Sequence, residues 1–348
     1  MIPSTVVERA MRRALELAAS PGVPLGPNPR VGCVLLAADG TTVAEGFHRG
    51  AGTPHAEAAA LAEAGEGAKG ATAVVTLEPC NHTGRTGPCA EALIKAGVAS
   101  VVFAQPDPNP VAAGGAKALT AAGIEVEMGL FEREARAVNR AWTFALEHGR
   151  PFVTWKFAAS LDGRSAAADG SSKWITNEAA RRDVHRLRGE CDAIMVGTGT
   201  VMRDDPELTV RDALDLALPR DRQPLRVIVG TREIPPGRRT NNDAAETIQI
   251  RDQPPRGVLQ ELHARGCQHV FLEGGPTLAG AFLRDGFVDE VVAYVAPKLL
   301  GSGRAAVETG LGSSIHEALD LHVEDITTLG DNVRITGRPS NAVQGKGF

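Results

Sequence analysis

Residues 71–97, ATAVVTLEPCNHTGRTGPCAEALIKAG, run from an apolar stretch through a loop of Gly, Pro, Asn, His and Arg into a segment closed by Gly97. ATAVVTLE reads as a buried strand and CAEALIKAG as a helix, so the stretch is a strand–loop–helix unit. Two of the chain's five cysteines, Cys80 and Cys89, bracket the loop. Such a pair is a disulfide, a metal site or two small core residues, and the surrounding sequence has to decide.

Outward from this unit the same rhythm continues. Val31–Ala37 and Thr42–Phe47 read as a hairpin around the turn at Asp39-Gly40, and His55–Gly65 as a helix. On the other side follow the strand SVVFAQ, the helix GGAKALTAAG and the strand IEVEMG. This β-α-β alternation predicts an α/β sheet covered by helices. A long helix over Glu132–Leu146 is expected to end at EHGRP, where Gly149 and Pro151 break it. The boundary near His148–Pro151 divides the chain into residues 1–147 and 148–338, with a loose tail over 339–348. The second part also alternates: FVTWKFAAS, AIMVG, LRVIVG, HVFLEGG and EVVAYVAP read as strands, and EAARRDVHRLRG as a helix between them.

At 348 residues two domains are expected. The net charge of −5 provides no global basic field toward nucleic acid or anionic lipid. No apolar run is long enough to span a bilayer. Arg9, Arg12, Arg13 and Glu16 interrupt the first residues, which read as an amphipathic helix and not as a signal peptide. A cytoplasmic location with reduced thiols is expected, which argues against a disulfide, as does the odd cysteine count.

A metal site explains the pair better. Zinc takes four N and S ligands, and a catalytic zinc keeps one position for water. Cys80 and Cys89 supply two thiolates, the second at a helix start where free N–H groups favour the anion. His55 in PHAEA is the third ligand, and Glu57 follows two residues later. A His/Cys/Cys set with such a Glu and a Pro before the first Cys is the pattern of zinc deaminases, although eight residues instead of two separate these cysteines. Glu57 would shuttle a proton while hydroxide attacks an amidine carbon of an aminopyrimidine. A closed structural zinc site with His82 as fourth ligand is the alternative. Cys33 sits in an alternating strand and reads as core, and Cys191 and Cys267 have no partner motif.

The second half carries a weaker constellation. VFLEGGPTLAGAF (Val270–Phe282) is a strand, a Gly-rich turn and a helix start, a pattern suited to phosphate. It is not the G-x-G-x-x-G fingerprint, and alone it reads as a plain turn. IMVGTGTVMRDDP (Ile194–Pro206) is a similar segment, and the two together favour a dinucleotide cofactor. Lys156 lies on a strand ahead of Ser160 and Asp162; Ser172 and Trp174 fall in SSKWIT; Arg188 and Arg211 are candidate phosphate holders, or else solvated surface side chains.

Taken together, PNPRVGCVL, TLEPCNHTGRTGPC, QPDPNP, KFAASLDG, SKWIT, RRDVHRLR, MRDDPELTVR, EGGPTLAGAF and VDEVVAYVAPKLLG resemble the bifunctional deaminase–reductases of riboflavin biosynthesis, over about residues 6–338. The long cysteine loop separates that family from cytidine and tRNA-adenosine deaminases. The resemblance implies an N-terminal cytidine-deaminase-like three-layer α/β/α domain and a C-terminal dihydrofolate-reductase-like α/β domain. It implies deamination of a diaminohydroxy-phosphoribosylamino-pyrimidine, then NADPH-dependent reduction of the ribosyl group to ribityl phosphate. One Zn2+ per chain would sit on His55, Cys80 and Cys89, with Glu57 as shuttle; Asn28, His48 and Arg85 would contact the substrate.

In the second domain the resemblance assigns NADPH to Ala158, Trp174, Thr200, Asp204, Thr231 and the turn Gly275, Pro276, Thr277, Leu278, Ala279, Gly280 and Ala281. Ser172, Arg188, Leu208, Arg211 and Glu273 would contact substrate, and Lys156 would serve the hydride chemistry. A homo-oligomer, dimer or tetramer, is expected by analogy. One rival reading keeps the deaminase but makes the second domain catalytically inactive. Another, a zinc-stabilised nucleic-acid-binding module, is opposed by the acidic charge and the lack of aromatic-basic interleaving.

Overall fold

The computed structural model describes residues 2–23, 26–82, 87–308 and 314–340. The chain divides into two compact units, Met1–Glu147 and His148–Phe348.

In chain order the first unit contains α1 (Ser4–Ala18), β1 (Gly32–Leu36), β2 (Thr42–Phe47), α2 (Ala56–Ala64), β3 (Thr72–Leu77), α3 (Cys89–Ala96), β4 (Ser100–Gln105), α4 (Gly115–Ala121), β5 (Glu125–Met128), α5 (Glu132–Val138) and α6 (Arg140–His148), whose last residue passes into the second unit. Its strands order as β2-β1-β3-β4-β5, with β1 antiparallel to β2 and β3 and the rest parallel. The period-2 rule distributes β3 cleanly. Ala73, Val75 and Leu77 join Ala56 and Ala60 of α2, Ala90 and Leu93 of α3 and Leu119 of α4 in one core. Val74 points to the other face, with Met11 and Ala14 of α1 and Ala135 of α5. The result is a three-layer α/β/α unit.

Three expectations needed revision here. Strand β1 is buried on both faces, so Cys33 lies in a continuous apolar run instead of an alternating one. The helix expected over Glu132–Leu146 is two helices, broken at Asn139 (φ −110°, ψ 24°). Of the tail expected to be loose from residue 339, the two described residues are held: a strand runs to Pro339, and the Ser340 N–H donates to the Asp320 carbonyl at 2.8 Å, while residues 341–348 lie outside the described residues.

Close backbone approach sets where the helices of this unit begin. At Gly46 on β2 a Cβ would lie 2.2 Å from the Ala56 carbonyl oxygen, so only glycine lets α2 start against that strand.

The second unit contains β6 (Phe152–Ser160), α7 (Glu178–Arg188), β7 (Ala193–Gly197), α8 (Thr198–Asp204), β8 (Leu225–Val229), β9 (Thr247–Ile250), α9 (Pro255–Ala264), β10 (His269–Leu272), α10 (Pro276–Arg284), β11 (Glu290–Ala296), β12 (Leu321–Leu329) and β13 (Asn332–Pro339). Its sheet orders as β12-β13-β11-β6-β10-β7-β8-β9. The strands from β11 to β9 in that order are parallel, and β13 is antiparallel to β11 and β12. Helices α9 and α10 cover one face through Val258, Leu259, Leu262, Ala279 and Phe282. Arg150 and Asp289 form a buried bidentate ion pair at 2.8 Å per bond, which also takes the Val153 N–H, and so ties the start of β6 to that of β11. No described helix is long and apolar enough to cross a membrane.

Candidate functional site

His55 is the N-cap residue of α2, Cys80 follows the end of β3, and Cys89 is the first residue of α3. Their donor atoms all lie within 4.8 Å of one another, and among the described residues no other His, Cys, Asp or Glu belongs to such a group. His82 is therefore not a fourth member. His55 Nδ1 is 3.6 Å from Cys80 Sγ and 3.3 Å from Cys89 Sγ. A tetrahedral zinc with standard bond lengths separates an N and an S ligand by about 3.6 Å. The donor set and its spacing therefore fit zinc, with three protein ligands and a fourth position left over.

Charge is already poised there. Cys80 is held down to about 4 by the hydrogen bond from Cys89, with help from His55. The same bond and burial push Cys89 upward. The Cys89 N–H also donates to Cys80 Sγ at 3.4 Å, as expected at a helix start. Glu57, in the first turn of α2, is 3% exposed and hydrogen-bonds Cys89. Burial pushes its carboxyl up to about 7.

The loop holding Cys80 is fixed by Glu78 and Gly115. Glu78 accepts from the N–H groups of Asp107, Gly114 and Ala116 at 3.0–3.2 Å. A Cβ on Gly115 would stand 1.8 Å from the Pro79 carbonyl oxygen, so glycine alone permits this approach of α4. Sequence reasoning missed both residues, because neither carries a motif of its own.

Asn28 and His48 lie beside the ligands. Asn28 Nδ2 donates to His48 Nε2 at 3.1 Å, and His48 Nδ1–H donates to the Pro54 carbonyl at 3.1 Å, which fixes the neutral tautomer. The His48 and His55 rings meet edge to face, 5.3 Å apart. Arg85 falls outside the described residues.

In the second unit a cleft of about 950 Å³ is lined by residues that include Lys156, Ala158, Ser172, Trp174, Arg188, Asp204, Leu208, Arg211 and Glu273. Thus β6, α7, the end of α8 and the segment after β10 converge on one space. Glu273 is the hub. Arg188 grips it through Nε at 2.5 Å and Nη2 at 3.1 Å, and Lys156 Nζ stands 3.7 Å away. Burial alone would raise the Glu273 pKa, but Arg188 and then Lys156 prevail and hold it at about 2. Burial lowers Lys156.

Several expectations change at this cleft. Arg188 and Arg211 do not stand free for a phosphate. Arg188 is engaged by Glu273 and the Thr209 carbonyl, and Arg211 by Glu207 and the Asp215 carbonyl, each at 2.7 Å. Ala279 and Gly280 lie on the inner face of α10 and are buried. Thr200, Thr231, Gly275, Pro276, Thr277, Leu278 and Ala281 do not line the cleft. Thr200 and Gly275 are neighbours, however, since a Cβ on Gly275 would lie 3.8 Å from Thr200 Oγ1.

Two family profiles match the chain. One, described as the RibD C-terminal domain, covers residues 151–335; the other, the cytidine and deoxycytidylate deaminase zinc-binding region, covers residues 4–105. The riboflavin biosynthesis protein RibD of Mycobacterium tuberculosis H37Rv is 49% identical over 95% of this chain and 96% of that protein. Its Escherichia coli K12 counterpart is 43% identical over 94% and 97%. Among solved structures, Acinetobacter baumannii RibD superposes with a TM-score of 0.90 at 41% identity, covering 97% of this chain and 100% of that one. A Thermotoga maritima diaminohydroxyphosphoribosylaminopyrimidine deaminase/5-amino-6-(5-phosphoribosylamino)uracil reductase gives 0.88 at 33% identity, covering 96% and 99%.

Proposed function

The chain belongs to the RibD family, and from that membership and its two sites we propose a bifunctional enzyme of riboflavin biosynthesis. Its first unit deaminates a diaminohydroxyphosphoribosylaminopyrimidine by hydrolysis, and its second reduces the ribosyl group of the product to ribityl phosphate with NADPH. The observation that carries the reading is the His55/Cys80/Cys89 triad with Glu57 buried against it.

When bound there, zinc supplies a water whose pKa is near 7. Glu57 would take a proton from the attacking water and hand it to the departing amino group, so that ammonia leaves and a carbonyl remains on the ring. Its burial keeps the carboxyl away from bulk water, where such a transfer would leak. Asn28 and His48 hold the pyrimidine, and the His48–Pro54 bond fixes which edge of the imidazole is presented. Arg85 belongs to the same reading as a contact to the substrate phosphate.

In the second unit the fit to a dinucleotide rests on the start of α10. Its first N–H groups open at the carboxyl end of β10, beside the glycines at 274 and 275, where a phosphate can approach the backbone. NADPH supplies a hydride. Ala158, Trp174, Thr200, Asp204, Thr231 and the first turn of α10 bind it. Ser172, Arg188, Leu208, Arg211 and Glu273 bind the sugar phosphate, Arg188 and Arg211 exchanging part of their carboxylate pairing for it. Lys156 presents its ammonium to the reacting sugar oxygens while Glu273 holds it in place.

The same reading includes one zinc per chain and a reducing cytoplasmic setting, which five cysteines with no disulfide among them fit. It also includes a homo-oligomer, dimer or tetramer; the edge strand β12 exposes Leu321, Val323 and Ile326. The test is NADPH oxidation by purified protein given deaminated substrate. Deamination without NADPH consumption would leave only the reading in which the reductase-like unit is inactive.

A further inference from the structure

Asn139 stands where the sequence predicts an unbroken helix, and its side chain is almost fully buried at 3% exposed. The helical chain continues on both sides of it: its N–H donates to the Ala135 carbonyl at 3.3 Å, and its carbonyl accepts from Thr143 at 2.8 Å. What the break delivers is the side chain. Asn139 Oδ1 accepts the Arg30 N–H at 2.8 Å, and Nδ2 donates to the Arg30 carbonyl at 2.8 Å. One amide thus satisfies both main-chain groups of one residue, as a neighbouring strand would. The orientation of the amide is unambiguous, because one end faces a donor and the other an acceptor.

Residues 26–31 have no strand or helix of their own, so their position depends on such anchors. The Val31 carbonyl accepts from the His48 N–H at 2.9 Å on one side of Arg30. Two residues away on the other side, Asn28 donates to the His48 ring. Asn139 is bonded to Arg30, the main chain leads from Arg30 through Pro29 to Asn28, and contacts continue from Asn28 to His48 and from His48 to the ligand His55.

We infer that Asn139 is a positioning residue of the deaminase site, which fixes the main chain at Arg30 and through it the aim of Asn28. The inference rests on the reading that Asn28 contacts the substrate. A purely structural asparagine would share the burial and the two bonds, so the test needs a readout that folding alone does not move.

That test is a mutant cycle in the full-length, zinc-loaded enzyme, with Asn28→Ala, Asn139→Ala and the double variant. Each single change is expected to raise the deamination KM about tenfold, the scale of one or two lost hydrogen bonds. Zinc content and NADPH-dependent reduction of supplied intermediate should stay at wild-type levels. Because Asn139 acts through Asn28, the double variant should be no worse than Asn28→Ala, whereas independent sites would multiply. Should Asn139→Ala fail to fold, Asn139→Asp keeps the volume and the acceptor for the Arg30 N–H but loses the donor to its carbonyl. It should still raise KM. A wild-type KM in the Asn139 variants beside a raised KM in Asn28→Ala overturns this inference alone, as do multiplying effects in the double variant. A wild-type KM in Asn28→Ala overturns the substrate assignment and the inference with it.

Discussion

Replacing Gly115 by alanine asks how the fold sets the zinc geometry. The added Cβ would stand 1.8 Å from the Pro79 carbonyl oxygen and 2.9 Å from its carbon. Both are backbone atoms, so no rotamer change relieves the overlap. Helix α4 is not free to drift away, because Glu78 Oε1 holds the N–H groups of Gly114 and Ala116 at 3.2 and 3.0 Å. To reach even 3.0 Å the carbonyl must retreat by at least about 1.2 Å. Pro79 is bonded to Cys80, whose Sγ moves with it. A metal site tolerates displacements of only about 0.5 Å, so the N–S spacings that fit zinc are lost. Changes one step removed from a ligand cost about 10–100-fold in affinity, and this one moves the ligand itself; at least a 100-fold loss is expected. Zinc per chain, measured after equilibration with graded chelator, reads the loss, and deamination should fall with it. Reduction of supplied intermediate in the same sample is the internal control. Wild-type zinc affinity with normal deamination would refute the claim that this approach fixes Cys80.

Other outcomes follow from the second unit. Asp289→Ala leaves the Arg150 guanidinium buried without its partner and should cost about 3–5 kcal/mol, measured from urea unfolding; a loss under 1 kcal/mol would contradict the pairing. Glu273 is held at about 2, below its ordinary 4.5, so its stabilisation is complete above 4.5 and is lost as pH falls toward 2. The stability difference between wild type and Glu273→Gln should therefore be flat above that range and shrink by up to about 3 kcal/mol within it. A difference independent of pH down to the acid limit would show that the carboxylate is not so held. Lys156→Met should abolish NADPH oxidation while deamination persists, and an active Lys156→Met reductase would remove Lys156 from the chemistry.

The sequence shows most clearly what local pattern controls. Strand β4 matches its reading residue for residue because VVFA is an apolar run that Ser100 and Gln105 bracket between turn signals. The His55/Cys80/Cys89 cluster was legible because each of the three sits at or near an element boundary that capping and turn residues mark. Features made by residues far apart in the chain were not. Arg188 and Glu273, 85 positions apart, gave no hint that they would bind each other before any phosphate. Asn139 is neither Gly nor Pro, and the Arg30 main chain that its side chain holds lies 109 positions away. The β12–β13 hairpin was passed over although Gly330, at φ 65°, marks its turn, because β12 is largely solvent-exposed and β13 is mostly half-buried, so neither carries a clear apolar pattern. The burial of Ala279 and Gly280 on the inner face of α10 was likewise not marked in the motif that contains them.

The central claim is that two chemistries share one chain and that Glu57 moves the proton in the first without holding the metal. Metal analysis joined to the two-step assay on Glu57→Gln tests it directly. The account predicts wild-type zinc content, deamination reduced by roughly 10²–10⁴-fold, and undiminished NADPH-dependent reduction of supplied intermediate. Zinc lost from Glu57→Gln, or deamination at the wild-type rate, would contradict it.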